Sequence, residues 1–177
     1  MPDVLPDVLA PDLRILFCGS AVGRRSAQVE AYYAGPGNLF WPTLHKVGLT
    51  PRRIAPAEYR DILAYGLGLT DLAKGAFGSD HELPPGCYDP ERLRRTVLAI
   101  QPRILAFTSK APAKAFLGRA VETGLQAERI GRTEIFVLPS PSGRARRFWN
   151  EDPWRGLAKR VRPPEFQNEN DASEARH

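Results

Sequence analysis

The sequence predicts an α/β fold, a three-layer α/β/α sandwich with a central, mostly parallel four-stranded sheet. Two observations carry that expectation. Four short apolar runs, Leu13–Cys18, Gly66–Leu72, Arg103–Thr108 and Glu134–Leu138, alternate with segments that read as helices, and strand–helix alternation calls for a parallel sheet flanked by helices. The first run is apolar apart from Arg14 and is closed by glycine, which suits a strand covered on both faces. At 177 residues the chain is long enough for one domain with a proper core and short for two.

The segment before the first strand, residues 1–12, carries three prolines and alternating acids. It is a poor helix and a poor strand, and it reads as a leader whose leucines and valines can lie on the domain. After the first strand and its loop, Asn38 can cap a helix whose apolar positions are Leu39, Phe40, Leu44 and Val47, with Gly48 at its end. Pro56 to Ala64 reads as a second helix with proline in its first turn. Lys74 to Asp89, rich in Gly, Pro and Ser, reads as a surface loop. Asp89-Pro90-Glu91 then opens a helix to about Ile100, with acids at its positive end. Further helices are expected from about Ala111 to Leu117 and from Pro153 to Val161. The domain is thus placed at residues 13–162, followed by a polar tail at 163–177 with a composition typical of disorder.

Lys and Arg number 25 against 20 Asp and Glu, a formal net charge of +5, so the distribution of charge matters more than its sum. The two cysteines and three scattered histidines supply no metal-ligand spacing, so no metal or other cofactor is expected. Cys18 reads as a small core residue. The N-terminus has neither the basic residues nor the apolar length of a signal or membrane segment. A cytoplasmic protein without membrane association is therefore expected.

Ligands on such sheets bind beyond the carboxyl ends of the strands. The loops there are Gly19–Gly23, the one after Leu72, Thr108–Lys110 and Pro139–Gly143. The first matches neither the dinucleotide nor the phosphate-loop pattern, so by itself it is either a tight strand-to-helix turn or a wall through which backbone N–H groups approach a ligand. Arg24 and Arg25 follow it directly. The last loop runs through Ser140, Ser142 and Gly143 straight into Arg144, Arg146 and Arg147. Hydroxyls and arginines of this kind bind phosphates. With Ser109 and Lys110 on a neighbouring loop, these charges come from separate segments and span a length of backbone, which favours nucleic acid over a mononucleotide. Of Tyr32 and Tyr33, one is expected in the core and the other as a platform for a base. Phe40 and Trp41 are expected in the core.

A strand closed by a Gly-bracketed loop, then YYAGPGNLFW, then a last strand into LPSPSG, resembles the uracil-DNA glycosylase superfamily. The nearest branches are the mismatch-specific uracil/thymine and the hypoxanthine-DNA glycosylases. The resemblance extends over roughly Leu13 to Arg162. It implies an enzyme that flips a deaminated base out of DNA, stacks it on an aromatic ring and hydrolyses its N-glycosidic bond, without cofactor and as a monomer. Gly19, Val22 and Gly23 then correspond to the first motif's pocket lining, with Ser20 and Ala21 at its catalytic positions. Tyr33 matches the stacking aromatic and Asn38 the asparagine before Phe-Trp. Ser140 heads the second motif, and Arg144 falls where the family places the residue that fills the vacated stack.

Two positions depart from the pattern. Ala21 stands where the first motif usually has Asn or Asp, and Ser140 where the second often has His or Asn. Three accounts stay open: backbone N–H groups stabilise the departing base, a carboxylate such as Asp71 supplies the missing function, or the chain binds damaged DNA without cutting the bond. Uracil is the expected base, with hypoxanthine as the alternative. For Asp71 itself, a turn-capping role competes with the catalytic one.

Overall fold

The computed structural model describes residues 2–161. The polar tail expected at 163–177 lies outside them. Five strands form one sheet: β1 (Ile15–Gly19), β2 (Leu67–Asp71), β3 (Ile104–Phe107), β4 (Gly124–Ile130) and β5 (Thr133–Val137), in the spatial order β2-β1-β3-β5-β4. The four expected strands are the parallel ones. β1 pairs with β2 from Ile15↔Leu67 to Gly19↔Asp71 and with β3 from Ile15↔Ile104 to Cys18↔Phe107. These registers align the strands' carboxyl ends, so Gly19, Asp71 and Thr108 arrive at one rim.

The fifth strand, β4, lies antiparallel on β5 at the sheet edge. Its sequence, GLQAERI, alternates exposed and half-buried residues until Ile130. An edge strand with a charged outer row has no need of a continuous apolar run, which is why the pattern that marks the other four does not mark it.

Side chains alternate between the faces of the sheet, and each face has its own core. Ile15, Phe17, Leu67, Leu69, Ile104 and Phe136 pack with Phe40, Trp41, Leu44, Trp154 and Leu157. Those partners come from α2 (Phe40–Lys46) and α5 (Asp152–Val161). On the other face Leu16, Cys18, Leu105, Phe107 and Val137 pack with Leu93, Val97, Ala113 and Phe116, from α3 (Pro90–Ile100) and α4 (Lys110–Leu117). The centre of the first core is aromatic. Phe17 meets Phe40 edge-on at 5.1 Å and stacks at 6.2 Å on Trp154, which is fully buried.

Several local expectations change. Arg24 and Arg25 open a short helix, α1 (Arg24–Val29), with Gly23 at its N-cap. The helix expected from Pro56 is a 3-10 segment, Pro56–Tyr65. The N-cap of α2 is Leu39, yet Asn38 Oδ1 accepts from Phe40 N–H at 2.9 Å, so Asn38 still satisfies the helix start. The leader is built into the fold: Val8 forms an antiparallel bridge with Leu69, Val4 N–H donates to Lys74 C=O, and Leu5 and Val8 are buried. The stretch 74–89 is not wholly surface. Lys74, at its start, is only 7% exposed, and Ser79 begins a capped 3-10 turn over Asp80–Glu82.

Candidate functional site

Gly19 ends β1 at the rim, and three polar side chains close over its Cα. A Cβ on Gly19 would lie 2.9 Å from Asp71 Oδ1, 3.5 Å from the Tyr33 hydroxyl and 3.6 Å from Thr108 Oγ1. Only glycine lets these three groups, from β2, from the loop before α2 and from the end of β3, meet over the strand end. Tyr33 Oη and Thr108 Oγ1 are 3.1 Å apart and share a hydrogen bond. Thr108 Oγ1 also lies 3.4 Å from Cys18 C=O. Cys18 is fully buried and burial pushes its thiol pKa up, as for a core residue.

Of the two tyrosines, Tyr32 is the one in the core. Tyr32 is 2% exposed and its hydroxyl donates to Pro6 C=O. Tyr33 is partly buried, with its ring 3.9 Å from that of Phe40 and nearly parallel to it. Its backbone is left-handed, φ 52°, a conformation that a bulky residue adopts only when its surroundings impose it. The Phe40 stack and the Thr108 hydrogen bond are the contacts that hold it. One ring face thus rests on the core.

Asp71 is 2% exposed. Burial is the main cause that lifts its carboxyl to about 6, assisted by Asp7 and opposed by Lys74 and Arg92. Its Oδ2 makes no hydrogen bond; Lys74 Nζ lies 3.8 Å away. Lys74 is closer to other partners, 2.9 Å from Asp7 Oδ1 and 3.1 Å from the Tyr32 hydroxyl. Arg92 of α3 donates to Asp71 C=O and reaches Asp7 Oδ2 at 3.2 Å. A neutral carboxyl at this position is an O–H donor, whereas an ionised one is an anion in a dry setting. Either form is chemically useful, and a carboxyl near 6 populates both around neutral pH.

Beyond Gly19 the loop turns its carbonyls inward. Gly19, Ser20, Val22 and Gly23 C=O accept from Leu72, Ala73, Gly78 and Ala27 N–H. Ala21 and Gly23 N–H donate to no acceptor among the described residues. Ser20 Oγ is buried without a hydrogen bond. Ala21 brings no polar side chain to the position, so the loop's contribution there is its backbone.

The last loop docks onto the aromatic one. Leu39 N–H donates to Pro141 C=O at 2.8 Å, and a Cβ on Gly143 would lie 2.5 Å from Pro36 C=O. Ser142 Oγ accepts from Arg144 N–H and opens a 3-10 turn, Gly143–Phe148, which carries Arg144, Arg146 and Arg147. Between this turn and α4, a cleft of about 520 Å³ is lined by Ser109, Lys110, Ser140, Ala145 and Phe148 among others. A hollow of about 200 Å³ between α3, α4 and β4 is lined by none of the loop residues.

The basic residues expected on this rim are exposed, but several already have partners. Arg24 pairs with Glu82 at 3.1 Å, Arg144 donates to Ser79 Oγ at 2.8 Å, and Lys110 lies 3.4 Å from Glu122. Arg146 NH2 lies 3.5 Å from Gly37 C=O. The 77–82 stretch therefore ties the first loop's helix to the last loop's turn. Residues that sequence reasoning did not single out are Thr108, Lys74, Asp7, Arg92 and Phe148. Phe148 is 69% exposed, with the Arg147 guanidinium 4.8 Å above its ring. Lys74 carried a signal, a basic residue three positions after the strand-end acid. The other four had none without the register. Among the described residues no group of three or more His, Cys, Asp or Glu is placed to hold a metal ion, and no helix is long and apolar enough to cross a membrane.

The strand-end loops of the parallel sheet thus bring together the Tyr33 ring, two backbone amides without an acceptor among the described residues, the buried Asp71 carboxyl and exposed arginines. The family model of the Uracil DNA glycosylase superfamily matches residues 6–158, and the chain belongs to that superfamily. Among solved structures, it is similar to a solution NMR structure of a candidate uracil DNA glycosylase from Methanosarcina acetivorans. The two share 23% identity and a TM-score of 0.60, over 89% of this chain and 96% of that one. At that identity the likeness concerns the fold.

Proposed function

We propose that this protein is a monofunctional DNA glycosylase that turns a deaminated base, uracil foremost, out of DNA and hydrolyses its N-glycosidic bond to leave an abasic site. The observation that carries the reading is the convergence at Gly19, where Asp71, Tyr33 and Thr108 surround a strand end whose loop presents free amides. Superfamily membership supports DNA as the substrate.

In this reading the base enters beside Tyr33, whose ring is backed by Phe40 and held at a fixed angle. The C1′–N bond breaks with the electron pair going to the base, and uracil leaves as a stabilised anion. Backbone donors of the first loop meet the growing negative charge. Such a donor is worth about 3 kcal/mol where oxyanion holes have been dissected, and a backbone group serves in place of the side chain that Ala21 lacks. Water then adds to the oxocarbenium-like sugar at C1′ and gives up a proton to the departing base anion or to ionised Asp71, the carboxyl that holds the water or the positive charge. The 520 Å³ cleft and the arginine-bearing turn take the flanking phosphates. No lysine takes the role of a nucleophile, and no cofactor enters the reaction.

The test is single-turnover release of base from duplexes carrying one uracil or one hypoxanthine, read as strand breaks after alkali. Abasic sites from the uracil duplex support the reading. Abasic sites from the hypoxanthine duplex alone would move the specificity to that base. Tight binding to abasic DNA with no product from either duplex would make the chain a lesion binder instead.

A further inference from the structure

Asp71 shares its burial with a second acid that comes from the far end of the chain. Asp7 lies in the leader, pinned by the Val8↔Leu69 bridge and by the buried side chains of Leu5 and Val8. Its Oδ1 accepts from Thr70 Oγ1 at 2.8 Å and lies 2.9 Å from Lys74 Nζ, and its Oδ2 lies 3.2 Å from Arg92 NH1. Thr70 and Asp71 are successive residues of β2, so their side chains project to opposite faces. Lys74 nonetheless has both carboxylates within reach, paired with Asp7 at 2.9 Å and with Asp71 at 3.8 Å. As a result Asp71 Oδ2 is buried with no hydrogen bond, next to an ammonium whose side chain is only 6% exposed.

A buried carboxylate beside a lysine normally closes on it, because an uncompensated buried charge is expensive. Here the Lys74–Asp71 ion pair is the longer of two, 3.8 Å against 2.9 Å to Asp7 of the leader. We propose that Asp7 is a positioning residue of the reaction, which acts by holding the Lys74 ammonium away from Asp71 and so leaves the Asp71 carboxyl free to work at the base or sugar. The role given to Asp71 rests on the glycosylase reading above; the hold of Asp7 on Lys74 does not. The groups that face Asp71 are Lys74 beyond β2, Asp7 of the leader, Arg92 of α3, Cys18 of β1, and Tyr32 and Tyr33 before α2.

Two substitutions move Asp71 in opposite directions. Asp7→Asn removes a neighbouring anion and releases Lys74 to pair with Asp71, so Asp71 ionises at lower pH. Lys74→Gln removes the cation and Asp71 ionises at higher pH. An opposite charge at this range moves a carboxyl by roughly one pH unit or more. The experiment follows the aspartate side-chain carboxyls by carbon-13 NMR across pH 4–9 in full-length protein, with Asp71→Asn identifying the Asp71 signal, alongside pH profiles of single-turnover uracil excision.

The expected result is a titration of Asp71 near pH 6 that moves acid-ward in Asp7→Asn and base-ward in Lys74→Gln, with a limb of the excision profile following it. A merely structural role for Asp7 lowers the rate equally at all pH values and leaves the Asp71 titration in place; that result overturns the proposal. If Asp7→Asn does not fold, Asp7→Ser takes its place, and an Asp71 titration left in place there overturns the idea. If the wild type releases no base while the titrations move as expected, the glycosylase reading fails and the hold of the leader on Lys74 stands.

Discussion

At the scale of single residues, Asp71 is the buried carboxyl that lowers stability at neutral pH and, in the proposed reaction, would serve the chemistry. Its ordinary carboxylate value near 3.8 is raised to about 6 in the fold, chiefly by burial. Below pH 3.8 the carboxyl is protonated in both folded and unfolded chains and has no effect. Between 3.8 and about 6 the unfolded chain ionises first, so stability falls as pH rises, and above 6 the whole penalty is present. That interval corresponds to roughly 3 kcal/mol. Asp71→Asn is therefore expected to raise the melting temperature at pH 7.5, and to have little effect on it at pH 4, while single-turnover excision slows at least 10-fold. Thermal melts at both pH values, with the rate, check both halves. Tyr33→Ala removes the ring proposed to stack on the base, with its Thr108 hydrogen bond, and should weaken capture of the base by about 1–3 kcal/mol, seen as weaker binding of a non-cleavable uracil duplex. An unchanged affinity moves stacking away from Tyr33, and the burial of Tyr32 leaves no second candidate in that pair.

At the scale of elements, two loops far apart in the chain act as one wall because a glycine lets them touch. Gly143 lies against Pro36 C=O with no room for a Cβ, and Pro141 accepts from Leu39 N–H. Gly143→Ala must push the arginine-bearing turn off the aromatic loop. A clash of that kind costs about 1–3 kcal/mol; urea unfolding measures it, and excision should fall even where the protein stays folded. The same turn sends Arg144 to Ser79, a contact that the proposed entry of this side chain into a duplex would break. Arg144→Ala should then lower excision from duplex DNA more than from single strands, because only a duplex has a vacated stack to fill. Equal losses on both would make Arg144 a phosphate contact.

For the whole molecule, the parallel strands set the geometry. Their in-step registers bring four loops to one rim, and the exposed cations of α1, α4 and the last turn border that rim. A formal charge of +5 on 177 residues is modest. Binding should nonetheless weaken steeply with salt, because the arginines and Lys110 release counterions from the phosphates they meet. Fluorescence anisotropy from 50 to 200 mM salt with a labelled duplex tests this, and a flat response would point to a non-nucleic-acid partner. The partnered state of Arg24 and Arg144 means that part of that attraction replaces existing contacts with Glu82 and Ser79.

Much of this architecture was legible in the order of residues. The four buried strands announce themselves because a strand covered on both faces must be apolar throughout, and Asp89-Pro90 and Gly48 mark helix ends through local chemistry. YYAGPGNLFW and LPSPSG carry the family, and the expectation that one of the two tyrosines lies in the core holds for Tyr32. The edge strand β4 was silent, since a half-exposed strand is defined by its neighbour and not by its own composition. Whether Asp71 caps a turn or faces a site could not be read locally either. What the fold adds is position: parallel pairing sets Asp71 beside Gly19, and the leader brings Asp7 to Lys74. Sequence sets which residues are apolar, flexible or charged within a few positions of one another. The meeting of Asp7, Lys74 and Asp71 depends on long-range register and burial, and those exist only once the sheet has formed.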